Sequence, residues 1–538
     1  MKMNFKKIIS ACIVLTMMVM SFAVAIPSNA VAYNENYFRY PVAATYESYG
    51  KAGFARGELT VEVNKWVNNN LTGSDIGCPT DAVVFWANED GKLPGYSRLA
   101  RFKLSTRSTT FEFPELQIIP EGADRLLVYT AIHGSEELSA QFVEAMLPED
   151  CDYIPASEPV MSFVVISDTH IQKSDSAAEN VIFKDMLNDV KKDFPEVKGI
   201  FINGDNAQSS KNATDTSALK SELENIEDYR SSICPKIPIF MAVGNHDLWP
   251  YKLYSDAVNT FLGEATLPDG SNPKSINYDF WLGGYHFVFL GSDINDPTYA
   301  KLNTATLEWL DTTLAEDYDS GRPTFIFLHQ ALSNTVAGSL TDFGQEWDGI
   351  INAVEVKNVL RKYPEAILFS GHSHYSLDSV GNAYDGGDIF PTTFNTASLA
   401  RATARYGEES VSLNEAQGYI IEIYDDCVMV KGRDFTADEW KSSAQYVVDY
   451  SAEGISRPIP DNSQNNTSNG SNNNVQETGS ANTEQQTEKP SATDAPTETN
   501  AVEKAGCGSY ISGVALVFAV STCAVSLVAL KRKRKSLI

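Results

Sequence analysis

Residues 161–170, MSFVVISDTH, carry the pattern that decides the fold of this chain. A short apolar run ends abruptly in polar side chains, here Asp168 and His170. Five further runs end in the same way: GIFINGDN (199–206), IPIFMAVGNHD (237–247), YHFVFLGSD (285–293), TFIFLHQ (324–330) and AILFSGHSH (366–374). Apolar runs of this length that alternate with helix-like segments predict buried parallel strands.

The polar ends of these runs hold most of the histidines. The chain has seven histidines, and five of them lie at run ends. In open α/β sheets, ligands bind at the carboxyl ends of the strands, so residues far apart in sequence are expected to meet there. The pattern predicts one pocket rich in metal ligands, and the candidates are the run-end residues Asp168, His170, Asp205, Asn245, His246, Asp247, Asp293, His329, His372 and His374.

The body of the chain divides near residue 157. Residues 33–157 contain short β-type runs at regular spacing, which predict a small antiparallel β-sandwich of the immunoglobulin or fibronectin kind. Amphipathic segments at 177–194, 217–233, 303–317 and 353–363 predict helices between the apolar runs. Residues 158–457 are therefore expected to form one α/β domain, with mixed sheets flanked by helices. The sequence leaves open whether the sandwich is a spacer or packing partner, binds a wall polymer, or helps to shape the active site.

The two ends of the chain predict export and anchoring. Residues 1–32 have the layout of a signal peptide, with a positive start, an apolar stretch and small residues at the end. Residues 458–506 are polar and predict a disordered stalk. Residues 507–530 are apolar and predict a transmembrane helix, and residues 531–538 are a basic tail that marks the cytoplasmic side. The body is therefore expected outside the plasma membrane, at the cell surface.

The composition narrows the classes of partner. The formal net charge is −28 at pH 7, which disfavours extended nucleic acid and anionic membrane surfaces as partners. Small phosphate esters held by metal ions stay possible, because the charge of the ion dominates locally. The absence of a CxxC pair excludes a zinc ribbon. Export permits disulfides, and the sequence does not choose a pairing among Cys78, Cys151, Cys234 and Cys427.

The polar run ends also form a recognisable set of motifs. DTH at 168–170, GDN at 204–206, GNHD at 244–247, the single His329 and GHSH at 371–374 follow in this order. This set resembles the calcineurin-like metallophosphoesterase superfamily. The resemblance implies one ion held by Asp168, His170, Asp205 and His374, and a second ion held by Asp205, Asn245, His329 and His372.

The resemblance also implies a mechanism. Two divalent ions, bridged by Asp205, would place a bridging hydroxide for attack at phosphorus. Imidazole ligands favour Mn, Fe or Zn over Mg or Ca. His246 would protonate the leaving group as general acid, and Asp247 would orient or polarise the imidazole of His246.

Differences from known motifs indicate which branches of the superfamily this chain resembles. The order of a β-sandwich before the α/β domain resembles purple acid phosphatases. Those enzymes carry DxG where this chain has the DxH of 168–170, and a tyrosine ligand where this chain has Gln208. The DxH form is closer to the cyclic-nucleotide phosphodiesterase, nuclease and nucleotidase branches.

The expected function is hydrolysis of a small phosphate ester outside the cell, with phosphodiesters favoured. One alternative is a broad phosphomonoesterase that scavenges phosphate. A second alternative, from a different class, is a surface binding or adhesion protein on an inactive phosphoesterase scaffold.

Overall fold

The computed structural model describes most of the body of the chain. The described residues are 41–63, 79–132, 135–149, 151–208, 215–249, 251–316, 321–341, 345, 349–406 and 409–450. The predicted signal peptide, stalk, transmembrane helix and basic tail lie outside these residues, as does Cys78. No helix within the described part is long and apolar enough to cross a membrane. All three described cysteines, Cys151, Cys234 and Cys427, are buried, and Cys234 and Cys427 are free thiols.

The first eight strands form the predicted all-β region. They are β1 (Pro41–Ser48), β2 (Gly57–Val63), β3 (Asp81–Asn88), β4 (Gly91–Lys92), β5 (Ala100–Lys103), β6 (Ser108–Glu112), β7 (Arg125–Ala131) and β8 (Val143–Met146). Strands β1, β2 and β6 make one antiparallel sheet, and β3, β4, β5, β7 and β8 make a second. In β2 the sequence alternates, so Leu59, Val61 and Val63 are buried in the core with Trp86 of β3.

Fourteen strands follow in the second half of the described chain. They are β9 (Met161–Ile166), β10 (Ile200–Asn203), β11 (Ile239–Ala242), β12 (Tyr278–Leu282), β13 (Tyr285–Leu290), β14 (Phe325–Leu328), β15 (Ile367–Ser370), β16 (Ala383–Tyr384), β17 (Thr392–Asn395), β18 (Thr403–Tyr406), β19 (Glu409–Ser412), β20 (Gln417–Ile423), β21 (Cys427–Asp434) and β22 (Glu439–Asp449). All six apolar runs of the sequence analysis are strands of this set, as predicted.

These strands form two mixed sheets of six strands each and one small ribbon. The first sheet has the order β11-β10-β9-β20-β21-β22, and the second has the order β12-β13-β14-β15-β17-β16. Strands β9, β10 and β11 are parallel, and so are β13, β14, β15 and β17. The six apolar runs therefore divide equally between two sheets. Strands β18 and β19 form the ribbon.

Six helices of four residues or more lie between these strands in the described residues. They are α1 (Ala178–Asp193), α2 (Ser217–Ile233), α3 (Asn245–Leu248), α4 (Tyr254–Glu264), α5 (Thr304–Ala315) and α6 (Ala353–Leu360). The four predicted helices correspond to α1, α2, α5 and α6, and α4 was not predicted. Phe183, Met186, Leu187 and Val190 recur at helical spacing and bury one face of α1 against the first sheet.

An aromatic core lies between the two six-stranded sheets. Phe163 and Phe201 of the first sheet pack against Phe287 of the second, with ring centroids 5.3 and 4.7 Å apart. Helices α5 and α6 cover the outer face of the second sheet through Leu310, Leu314 and other apolar residues. Helices therefore flank two stacked mixed sheets, which confirms the predicted fold class.

The N-terminal sheets are joined to the last strand by backbone hydrogen bonds. Trp440 donates to the carbonyl of Gly95 (2.8 Å) and accepts from Ser97 (2.9 Å). Further along β22, Ile118 donates to Gln445 (3.0 Å). All described residues belong to one compact unit.

Candidate metal centre

The predicted ligands lie at the carboxyl ends of five strands drawn from both large sheets. Asp168 and His170 follow β9, Asp205 follows β10 and Asn245 follows β11; His329 follows β14, while His372 and His374 follow β15. The sixth run, β13, does not contribute, because the carboxylate of Asp293 accepts a hydrogen bond from the backbone of Asn303 (2.7 Å) outside this cluster. The centre thus forms where the ends of two stacked sheets converge.

The structure groups these side chains into two sets that share one carboxylate. The first set is Asp168, His170, Asp205 and His374, and the second contains Asp205, His329 and His372. Within each set, one ligand atom from each residue lies within 4.8 Å of all the others. These are the two sets that the resemblance implies, and Asp205 belongs to both. Asn245, the remaining predicted ligand, lines the same cavity.

The ligand atoms of the first set lie a short distance apart. The Nε2 atoms of His170 and His374 are 3.1 Å apart, and Nε2 of His374 is 3.0 Å from Oδ1 of Asp168. Ligands bonded at about 2.0–2.1 Å to one ion at a right angle lie about 3 Å apart. This spacing is therefore suited to side chains that share an ion.

Glycine is required at a backbone position that lies against one of the ligands. Gly204, between β10 and Asp205, has a φ of +87°. A Cβ atom at this position would lie 2.5 Å from the imidazole of His329. Glycine is therefore needed both for the left-handed conformation and for the contact of the loop with a ligand of the second set.

Hydrogen bonds to neighbouring groups fix the orientation of the ligand side chains. Nδ1 of His329 donates to the carbonyl of Asn203 (2.7 Å), which turns Nε2 toward Asp205 at 3.3 Å. The side-chain nitrogen of Asn245, Nδ2, donates to the carbonyl of Pro297 (2.7 Å). The side-chain oxygen, Oδ1, therefore points away from Pro297. Oδ2 of Asp168 accepts from the hydroxyl of Ser167 (2.6 Å), so Oδ1 faces the histidines.

The unsatisfied polar atoms of the site fit bound cations. Oδ1 of Asn245 is buried and has no hydrogen-bond partner in the described part of the chain, and Nε2 of His329 is buried and faces the carboxylate of Asp205 at 3.3 Å. Such buried atoms are costly unless a ligand satisfies them. Both atoms belong to predicted ligands of the second ion. The donor set of carboxylate, amide oxygen and imidazole is suited to divalent ions such as Mn, Fe or Zn.

Burial keeps two of the histidine ligands neutral. It lowers the pKa of His170 to about 3, and burial together with the neighbouring His329 lowers the pKa of His372 to about 4. Neutral imidazole is the form that binds metals. Burial opposes ionisation of Asp168, but the imidazoles of His374 and His329 outweigh it and hold the pKa of this carboxyl below its usual value.

The pKa of His329 is shifted in the opposite direction, upward. Burial lowers the pKa of this imidazole, but the carboxylates of Asp205 and Asp168 outweigh burial and raise the pKa to about 9. Without metal, His329 therefore carries the positive charge that balances these acids. A bound cation would take over this balancing role.

His246, the predicted general acid, lies on the wall of the same cavity. Its backbone N–H donates to Oδ1 of Asp205 (2.8 Å), and its Nδ1 lies 3.1 Å from the carbonyl of Gln208. A carbonyl only accepts, so Nδ1 carries hydrogen and Nε2 is the nitrogen that can gain and lose a proton. The sequence analysis missed the contact with Gln208, because it is made by a backbone atom that any residue supplies.

Asp247 has several hydrogen-bond partners in the neighbouring loops. Its carboxylate accepts hydrogen bonds from the backbone of Gly244 (2.8 Å) and Ala207 (2.9 Å) and from the side chain of Asn206 (2.9 Å). Burial, and then the nearby Asp205, raise the pKa of Asp247 to about 6. Asp247 therefore ties the loop after β10 to the start of α3, and the carbonyl of Gln208 orients His246.

The cavity above the ligands has a volume of about 310 Å³. It is lined by Asp205, Asn245, His246, Pro297, Thr298, His372, Ser373, His374 and Thr403. This described lining contains no Lys or Arg side chain. The loop after β13 contributes Pro297 and Thr298, which the sequence analysis did not identify.

A second group of acidic side chains is already neutralised. Asp189, Asp193 and Asp438 lie close together, but Arg433 pairs with Asp189 (2.7 Å) and Lys192 pairs with Asp438 (2.9 Å). This group is therefore an ion-pair network, and the strand-end cluster is the candidate metal centre.

The sequence of this region matches a known family. Residues 161–376 match the model of the calcineurin-like phosphoesterase family. This span contains every predicted ligand and both residues of the predicted acid pair, His246 and Asp247. Residues 161–376 form a calcineurin-like phosphoesterase domain. The ligand clusters of this domain are suited to a pair of divalent ions.

Individual proteins resemble parts of the chain. A 3′,5′-cyclic-nucleotide phosphodiesterase of Nostoc sp. is 27% identical over 152 residues, which are 28% of this chain and 49% of that protein. The chain thus spans about half the length of this relative. Among solved structures, a purple acid phosphatase of yellow lupin (Lupinus luteus) has a TM-score of 0.39 at 13% identity, over 76% of this chain and 74% of that one. An uncharacterised protein of Streptococcus pneumoniae, described as a predicted phosphoesterase, has a TM-score of 0.25 at 13% identity, over 54% and 97%.

Proposed function

We propose that the protein is a metal-dependent phosphodiesterase that acts outside the cell. The observation that carries this proposal is the pair of ligand sets that share Asp205. One shared carboxylate between two sets of imidazole and carboxylate ligands is the arrangement that a pair of ions requires for displacement at phosphorus. No other described cluster of side chains combines these donors with an open cavity.

The chain supplies the ligands for both ions. Asp168, His170 and His374 would hold one ion, His329, His372 and Asn245 would hold the other, and Asp205 would bridge them. When bound, two divalent ions supply a water of lowered pKa as nucleophile and neutralise the charge of the phosphoryl oxygens. The protein itself fixes the direction of each ligand atom through Ser167, Asn203 and Pro297.

His246 completes the chemistry by delivering a proton. Its backbone N–H holds Asp205, and the Gln208 carbonyl directs its ring, so Nε2 is the atom that would protonate the leaving alkoxide. Positioned proton transfer of this kind contributes about 10²–10⁴ to a rate.

The charge of the cavity favours diesters over monoesters. A diester carries one negative charge and a monoester carries up to two. Beyond the bound ions, the described lining offers no Lys or Arg for the second charge. The name of the Nostoc relative, a phosphodiesterase, agrees with this preference. A phosphomonoesterase remains the alternative outcome of the experiment below.

The cellular location is proposed from the sequence alone. The apolar stretch at residues 507–530, followed by a basic tail, supports anchoring in the plasma membrane with the catalytic domain outside. The signal-like residues 1–32 support export.

The full-length protein tests this function directly. The protein is stripped of metal, reloaded with Mn, Fe, Zn or Co, and assayed with bis(p-nitrophenyl) phosphate beside p-nitrophenyl phosphate. We expect metal-dependent turnover, faster with the diester, and loss of turnover in Asp205→Asn. Asp269→Asn is the control, because this exposed turn residue lies outside the site, and it should leave turnover unchanged. Failure to bind any of the metals would remove the proposal and favour a binding protein on an inactive scaffold.

A further inference from the structure

One wall of the metal cavity carries a hydroxyl group without a partner in the described chain. Apart from the predicted ligands and His246, the described lining consists of Pro297, Thr298, Ser373 and Thr403. The hydroxyl of Ser373 donates to the carbonyl of Ala337 (3.1 Å). The hydroxyl of Thr403 donates to the carbonyl of His374 (3.1 Å). Among the residues that the structure describes, Thr298 has a hydrogen bond at its backbone N–H but none at its hydroxyl, which is left for a ligand.

Thr298 lies on a loop whose backbone is held at several points. The loop joins β13 to α5, and its base is closed by the N–H of Asp293, which donates to the carbonyl of Lys301 (2.8 Å). Within the loop, Oδ1 of Asp296 accepts from the N–H groups of Thr298 (2.9 Å) and Tyr299 (2.8 Å). None of these bonds uses the side chain of Thr298, so a substitution of that side chain leaves them in place.

The same loop contacts a predicted metal ligand. The carbonyl of Pro297 accepts from Nδ2 of Asn245 (2.7 Å), the residue whose Oδ1 would hold the second ion. Consecutive Cα atoms are about 3.8 Å apart, so Thr298 lies next to this contact. The cavity of about 310 Å³ is at the small end of the range for ligand pockets, so a phosphate ester bound there meets its walls.

A hydroxyl suits a phosphate group of low charge. It donates one hydrogen bond and brings no charge of its own. The phosphoryl oxygens of a diester share one negative charge, whereas those of a monoester share up to two, and a Lys or Arg side chain would serve the second charge better. The described lining has neither, so Thr298 is a neutral donor on a wall without Lys or Arg.

We propose that Thr298 is a specificity-determining residue, whose hydroxyl donates a hydrogen bond to a phosphoryl oxygen of the bound phosphodiester. This inference rests on the proposed function, because it takes the phosphorus of the substrate to lie at the metal centre. It assigns a role to the loop after β13, the one apolar run whose terminal Asp293 lies outside the ligand cluster. A hydrogen bond from a neutral donor to a charged acceptor contributes about 10- to 100-fold to binding.

A matched pair of variants tests the hydroxyl in the full-length, metal-loaded protein. Thr298→Val removes the hydroxyl and keeps the shape of the side chain, whereas Thr298→Ser keeps the hydroxyl. We expect kcat/KM for bis(p-nitrophenyl) phosphate to fall about 10- to 100-fold in Thr298→Val and to stay close to that of the unchanged protein in Thr298→Ser. The metal content of both variants should be unchanged, because the ligands are untouched.

Thr312→Val is the matched control. The hydroxyl of Thr312 donates to the carbonyl of Glu308 (2.9 Å) on an exposed part of α5 and does not line the cavity. This variant loses the same atom as Thr298→Val and should keep full turnover.

A third variant reverses the preference of the site. Thr298→Lys supplies the cation that the described lining lacks. We expect the ratio of kcat/KM for bis(p-nitrophenyl) phosphate to kcat/KM for p-nitrophenyl phosphate to fall about tenfold or more, because the added charge favours the doubly charged monoester. An unchanged ratio would contradict a position of this side chain beside the phosphate group.

The outcomes separate the role of Thr298 from the function. Full turnover in Thr298→Val, or an equal loss in Thr298→Val and Thr298→Ser, would overturn the inference while leaving the phosphodiesterase intact. If no ester reacts with any metal, the proposed function fails. The inference is then judged by calorimetric binding of dimethyl phosphate, a singly charged diester, to the protein incubated with the same metals. Weaker binding to Thr298→Val than to Thr298→Ser would support it, and equal or absent binding in both would overturn it.

Discussion

The backbone at the metal ligands is held in an unusual conformation. Eight described residues other than glycine have positive φ angles, and five of them are the ligands Asp168, His170, Asp205, His372 and His374, with φ between 46° and 66°. This left-handed region costs a residue with a Cβ about 1–2 kcal/mol. Residues in such conformations cluster at functional sites, where the surrounding structure holds them.

The strain at one ligand can be measured with a matched pair of variants. Both His374→Ala and His374→Gly remove the imidazole, but only glycine adopts the φ of 57° without steric cost. We expect the metal-free His374→Gly protein to have a free energy of unfolding about 0.5–1 kcal/mol higher than that of His374→Ala, measured by urea denaturation. Equal stabilities would show that the backbone there is not strained.

His329 links metal binding to pH. Its pKa is raised from 6.5 to about 9, so the metal-free protein holds this proton at pH 7.5. Metal binds the neutral ring, so loading should release close to one proton between about pH 7 and 8, and apparent affinity should rise with pH up to about 9. Calorimetry in buffers of different ionisation enthalpy measures this release. His329→Asn should release less, and an equal release would contradict the assignment.

The proton on His329 also affects the free energy of unfolding of the metal-free protein. The pKa is higher in the folded protein than in the unfolded chain, so its contribution to stability is complete below pH 6.5 and is lost as the pH rises through about 9.

The role of His246 depends on the leaving group. A general acid matters most when a basic alkoxide departs and little when p-nitrophenolate departs. We expect His246→Ala to lower kcat by about 10²–10⁴ for a dialkyl phosphodiester and by much less for bis(p-nitrophenyl) phosphate. Steady-state kinetics with both substrates measures the difference. An equal loss on both would mean that His246 acts only by holding Asp205.

The clustering of these side chains was predictable because each of them follows an apolar run directly in sequence. The groups that orient the side chains of the site were not predictable. They are the carbonyls of Asn203, Gln208 and Pro297, which are backbone atoms that any residue supplies. The hydrogen bonds from the backbone of neighbouring loops to Asp247 were not predictable for the same reason.

At the scale of elements, Asp247 joins the loop after β10 to α3. Removing its buried carboxylate leaves the N–H groups of Gly244 and Ala207 without a partner. We expect Asp247→Ala to lower the free energy of unfolding by about 2–4 kcal/mol and Asp247→Asn to lower it less, measured by urea denaturation. Unchanged stability together with a shifted pH–rate profile would instead support the polarising role implied by the family resemblance.

The strands themselves were predictable, but their division between two sheets was not. The apolar runs identify β9–β11 and β13–β15 through length and composition alone. Pairing between them depends on contacts distant in sequence, such as β9 with β20, in which Met161 lies opposite Ile423. Helix α4 was missed for a related reason: only Ala257 and Phe261 among its residues are buried, so its apolar pattern is short.

For the whole molecule, the hydrogen bonds between the N-terminal sheets and β22 predict cooperative unfolding. Gly95, Ser97 and Ile118 bond directly to the last strand of the catalytic sheet. We expect β3 and β10 to lose protection from hydrogen exchange at the same urea concentration, as observed by mass spectrometry. Loss of protection in β3 at clearly lower urea would show that the N-terminal sheets unfold independently.

The pairing of β9 with β20 also imposes an order on assembly. Strand β9 carries Asp168 at its end, and its partner on one side is made more than two hundred residues later in the chain. All the metal ligands have left the ribosome before that partner is complete. Until then the open edge of β9 offers its unpaired backbone groups to any other extended chain. We therefore expect this edge to stay exposed until β20 has paired with it, and capture of the metal ions to be a late event in maturation.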